Sequence, residues 1–83
     1  MTQYLIMCRS LTYAQRAAQA LERAGYRASV VRAPQELRGN GCGYALSMRR
    51  GFEEAVKLLQ NQNLLSGKLY QKQNDGEYRE VFP

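Results

Sequence analysis

The chain is 83 residues long, with 12 Lys and Arg against 7 Asp and Glu, a net charge of +5, no histidine and two cysteines. That length is one small domain near the lower limit for burying a self-sufficient core, and the expectation is a thin, single-layer core that a second copy of the chain could help to cover. Without histidine, Cys-His nucleophilic catalysis is excluded, and two cysteines with scattered acids leave no ligand set for structural zinc.

Residues 3–8, "QYLIMC", form a short apolar run suited to a central strand. Residues 10–25 change to a helical period: Ala14, Ala17, Ala18, Leu21 and Ala24 share one stripe, Ser10 or Thr12 can cap the start, and Gly25 suits the position after the end. Residues 26–33 alternate as an edge strand stopped by Pro34, which can open one helical turn. Residues 44–49 read as a third strand, and Phe52, Ala55, Val56 and Leu59 restore the helical period with Glu53 and Glu54 in the first turn. A fourth strand is expected at 67–73, and Asp75-Gly76 signals a hairpin into a short fifth strand at 77–82.

The order β-α-β-β-α-β predicts an α+β fold of ferredoxin-like topology: an antiparallel sheet of order 4-1-3-2, two helices on one face, and a core over about 3–73 within a single domain, 1–83. The other face is expected to stay open or to serve for pairing. Strand 3 then runs antiparallel to strand 1, so Cys8, at the end of strand 1, and Cys42, just before strand 3, are expected at one edge together with the start of the first helix.

The stretch "RGNGCGYAL", 38–46, sets Cys42 between Gly41 and Gly43. Two readings stay open. Asn40-Gly41 alone would serve a tight hairpin turn in which Cys42 is incidental. Alternatively, Cys42 is a reactive thiolate favoured by the amides and partial positive charge of the helix that starts at Ser10, and by Arg9 or Arg38, with the glycines keeping the sulfur accessible. A lone thiolate can exchange with a disulfide or carry sulfur or selenium as a persulfide-type adduct. A switch through a Cys8–Cys42 disulfide is a third reading. A phosphate-binding loop is disfavoured, because this glycine-rich stretch opens onto a strand.

Residues 1–50 hold eight arginines against Glu22 and Glu36, which implies a solvated basic face or attraction for an anion. Tyr4, Tyr44 and Tyr70 fall on expected strands, as in RNA-stacking sheets, but the aromatic signature of those domains is missing, so nucleic acid is the weaker reading and partly buried tyrosines the stronger. No apolar run approaches the length of a membrane span, and no secretory signal is evident; with only two cysteines, a reduced, cytoplasmic protein is expected.

The run "RSLTYAQRAAQALERAGYRASVVRAPQELRGNGCGYAL" resembles the small bacterial family described as selenium/sulfur carrier-like, over roughly residues 4–60, most specifically in "APQELRGNGCGYAL" through Pro34, Cys42 and Gly43. The resemblance implies that Cys42 carries sulfur or selenium and that Gly43 is its required neighbour. It implies a carrier more than an enzyme, with no cofactor, served by a cysteine desulfurase, a selenium-handling enzyme or a sulfurtransferase. Cys8 departs from the family pattern, which favours an aromatic there, so its role as a second thiol rests on topology; the stretch after about residue 66 matches poorly. The alternative function is a small non-catalytic binding or regulatory module for a protein or RNA, with Cys42 incidental.

Overall fold

The computed structural model describes residues 2–38 and 43–81; Gly41 and Cys42, and with them the Asn40-Gly41 turn, lie outside the described residues. The elements are β1 (Tyr4–Met7), α1 (Leu11–Arg23), β2 (Ser29–Arg32), α2 (Gln35–Arg38), β3 (Tyr44–Met48), α3 (Phe52–Asn61), β4 (Leu69–Lys72) and β5 (Tyr78–Val81). They make a small α+β protein around an antiparallel five-stranded sheet of order β2-β3-β1-β4-β5. Read from the other edge the order is 5-4-1-3-2, which differs in detail from the expected four-strand order 4-1-3-2 by the addition, beyond β4, of the short fifth strand expected from the terminal hairpin.

The local chemistry explains the boundaries. Ser10 is extended and its hydroxyl accepts from the Tyr13 amide, so it caps α1. At the other end Gly25 takes φ +91°, its amide donates to Glu22 and the Tyr26 amide donates to Leu21, the paired closure that a left-handed glycine allows. That closure holds Tyr26 out of the expected strand 26–33, and β2 begins only at Ser29. In the last hairpin the Gly76 amide donates to Gln73, Gln73 donates to Glu77, and the Asp75 carboxylate accepts from the Glu77 amide. Gly76 at φ +88° completes this tight connection, which is why Asp75-Gly76 delivers β5 to the edge of β4.

Because strand side chains alternate, the sheet has two buried faces. On one, Ile6, Leu46, Met48 and Leu69 meet Ala14, Ala17 and Leu21 of α1 and Phe52, Ala55, Val56 and Leu59 of α3. Each of the fully buried Ile6, Leu21, Leu46, Leu59 and Val56 side chains contributes about 1.5–3 kcal/mol by leaving water. The reverse face, expected to stay open or to serve for pairing, is not left open. Leu5, Met7, Ala33 and Ala45 form a second cluster there, packed by Val31, Leu37, Tyr70 and Tyr78. The physical reason is α2: its single apolar side chain, Leu37, lies against this cluster in a helix too short to show a periodic stripe.

Candidate functional site

β1 is central, paired with β3 and β4, and the Cys8 amide donates to the Tyr44 carbonyl at 3.1 Å, one step beyond the Met7–Ala45 pair. The end of β1 thus lies beside the start of β3, as antiparallel pairing requires. Cys8 is 4% exposed, belongs to the helix-side core, and its thiol donates to the Ile6 carbonyl at 3.5 Å. Two residues on, Ser10 caps α1, so a helix N-terminus with its partial positive charge starts at this end of the sheet. Arg9 lies between them: its amide donates to the Ser66 hydroxyl at 3.1 Å and its guanidinium sits 5.1 Å from the centre of the Tyr13 ring.

Gly43 is the described residue bonded to Cys42, and its surroundings are basic. Its carbonyl accepts from the Ala33 amide, and the Ala33 carbonyl in turn accepts from Nε of Arg38 at 2.9 Å. Arg32, the last residue of β2, pairs with Tyr44 across the sheet and holds its guanidinium 5.3 Å from the centre of that ring. A β-carbon placed on Gly43 would lie 3.5 Å from Cδ and Nε of Arg38 and 3.6 Å from Nη2 of Arg32. A terminal nitrogen of Arg32 and the Cδ–Nε edge of Arg38 therefore approach one point above the glycine. Among the described residues neither is paired with a carboxylate; the ion pair there is Lys68–Glu80 at 3.8 Å. Two neighbouring cations repel, and an anion between them would reverse this.

Residues 3–71 of the chain match the model of the family described as "Putative Se/S carrier protein-like". The chain belongs to that family. No curated protein and no solved structure matches it. The match runs from β1 through most of β4, further than the resemblance over 4–60, and it spans Arg32, Arg38, Cys42 and Gly43 while leaving β5 outside.

In this Se/S carrier-like chain the structure brings Gly43 and Arg38, both expected at the site, together with Arg32, which was not. Arg32 looks in sequence like an ordinary edge-strand charge; its signal was its place opposite Tyr44 in the antiparallel register. The described contacts of Arg9 and Ser10 lie around the start of α1, and Cys8 is buried beneath it. The tyrosines do not share a face: Tyr4 and Tyr44 pack on the helix-side core, Tyr4 stacked on Phe52 at 4.1 Å, and Tyr70 packs on the reverse cluster. A stacking platform for RNA bases needs aromatics side by side on one accessible face, and these are divided between two packed ones. Among the described residues no three His, Cys, Asp or Glu side chains could hold a metal, and no helix is long and apolar enough to cross a membrane. A cleft of about 750 Å³, lined by Tyr26, Arg27, Ser47, Arg49, Arg50 and Gly51, lies at the opposite end of β3 from Gly43.

Proposed function

We propose that this protein is a carrier of reactive sulfur or selenium, with Cys42 as the accepting thiolate. The observation that carries the reading is the family match across residues 3–71, which includes Cys42, joined to the basic surroundings of its bonded neighbour Gly43. In the step envisaged, the Cys42 thiolate attacks the outer sulfur of a donor persulfide. A sulfur–sulfur bond forms at Cys42, the donor's own sulfur–sulfur bond breaks, and the donor sulfur leaves as a thiolate with the electron pair; no oxidant or reductant is consumed.

The adduct is an anion at neutral pH, and Arg32, Arg38 and the N-terminus of α1 are the groups that favour it. Gly41 and Gly43 keep the approach to sulfur open to a partner's active site. The donor is a cysteine desulfurase, a selenium-handling enzyme or a sulfurtransferase, the setting is the reducing cytoplasm, and the protein acts as substrate-bearer more than as enzyme. The fold that presents the loop is ferredoxin-like, extended by β5 at the β4 edge.

The test is incubation with a cysteine desulfurase and cysteine, followed by intact mass. The expected result is a gain of one sulfur atom on the wild type and none on Cys42→Ser; no gain on the wild type, or an equal gain on both, contradicts the proposal.

A further inference from the structure

We infer that Arg32 and Arg38, converging over Gly43, form a binding site for a small tetrahedral oxyanion of the sulfate, thiosulfate and phosphate class. The site stands on the geometry of the two arginines; its use, to seat thiosulfate as a second, small-molecule donor beside Cys42, rests on the carrier reading: the Cys42 thiolate bonds to the outer sulfur, the sulfur–sulfur bond of thiosulfate breaks, and sulfite leaves with the electron pair.

The two guanidiniums come from separate elements, β2 and α2, and both are held in place. Arg38 is fixed by its Nε bond to the Ala33 carbonyl, which leaves its terminal nitrogens for another acceptor, and Arg32 is seated on the Tyr44 ring. Both reach within 3.6 Å of the point where a side chain at 43 would begin. Glycine leaves that point empty, and Gly43 is half-exposed, so a ligand can reach it from solvent. No carboxylate among the described residues neutralises the pair. At that point Arg32 presents a terminal nitrogen and Arg38 its Cδ–Nε edge, with the terminal N–H groups of Arg38 not taken by the Ala33 carbonyl; two such cations match an anion with more acceptor oxygens than a carboxylate, and the tetrahedral dianions have them.

Gly43 supplies an unusually clean variant. Alanine there meets the arginines at ordinary van der Waals distances, 3.5–3.6 Å, and the residue is outside the left-handed region, so Gly43→Ala is expected to fold as the parent does while its methyl occupies the anion's place.

The experiment titrates sulfate into the Cys42→Ser protein, which removes sulfur chemistry, and follows Gly43 amide and arginine Nε–H resonances by NMR at constant ionic strength set with chloride. Saturable shifts centred on Gly43, Arg32 and Arg38 are expected, weakened about tenfold or more in Arg32→Gln and in Gly43→Ala, with thiosulfate and phosphate competing. Arg38→Gln removes the Ala33 bond as well, so Arg32→Gln and Gly43→Ala decide. Equal sulfate binding by these two variants and their parent, or shifts no larger than chloride produces, overturns the site. Adenosine monophosphate binding more than tenfold tighter than phosphate overturns the assignment to an oxyanion alone. Failure of Cys42 to take sulfur from a desulfurase while sulfate still binds here overturns the carrier reading and leaves the anion site standing.

Discussion

The Cys8 amide donates to the Tyr44 carbonyl, and this bond carries the β1–β3 ladder past its last strand pair to the edge where the loop residue Gly43 begins. It brings a buried thiol and a helix N-terminus to the same end of the sheet as two arginines. The thiol, however, is inside the core, with its sulfur 3.5 Å from the Ile6 carbonyl oxygen. Cys8→Ala is therefore expected to cost about 1–2 kcal/mol through lost packing, read as a lower urea midpoint, while sulfur uptake by the folded protein is unchanged. Loss of uptake in a fully folded Cys8→Ala protein would make Cys8 part of the chemistry.

Two glycines at this end predict opposite outcomes. A β-carbon on Gly67 would collide with the Met7 carbonyl oxygen and lie 2.8 Å from its carbon, backbone that the Met7–Lys68 hydrogen bond holds in place. Gly67→Ala should cost about 1–3 kcal/mol of stability, whereas Gly43→Ala should stay within about 0.5 kcal/mol of the parent. Chemical denaturation of the two variants checks the pair; equal stabilities would contradict the packing described for Gly67.

Removal of the α1 cap is expected to act locally. Ser10→Ala leaves the Tyr13 amide without its hydroxyl acceptor, at a cost of about 1 kcal/mol. Amide exchange should accelerate in the first turn of α1 before the rest of the helix, and Ser10→Asp should recover most of the loss.

In the core, Leu46 of β3 and Leu59 of α3 are fully buried on the helix-side face. Leu46→Ala and Leu59→Ala should each cost about 2–5 kcal/mol, a large share of the roughly 4–12 kcal/mol that a chain of this size commands. A lowering of the thermal midpoint by about 10–40 °C is the expected result for either variant, and a shift of only a few degrees would contradict the packing assigned to them.

How much of this was legible in the sequence depended on whether the signal was local. The α1 boundaries were, because a capping serine and a left-handed glycine act within one helical turn, and so was the last hairpin, because Asp75-Gly76 sets its own geometry. The second core was not, since Leu37 is one apolar residue in a four-residue helix and its partners come from β1, β2, β3, β4 and β5. Tyr26 misled through alternation, because its amide was committed to closing α1 and its ring to covering Gly51. At the candidate site, Arg38 was legible from its nearness in sequence to Cys42. Arg32 was not, since only β2–β3 pairing carries it to Gly43.

The central claim is that Cys42 is where sulfur is accepted. It is tested most directly by loading the wild-type protein with a cysteine desulfurase and cysteine, trapping persulfides by alkylation, and mapping the added sulfur by tandem mass spectrometry between the peptides holding Cys8 and Cys42. The prediction is added sulfur on Cys42 alone; added sulfur on Cys8, or on neither cysteine, would contradict it.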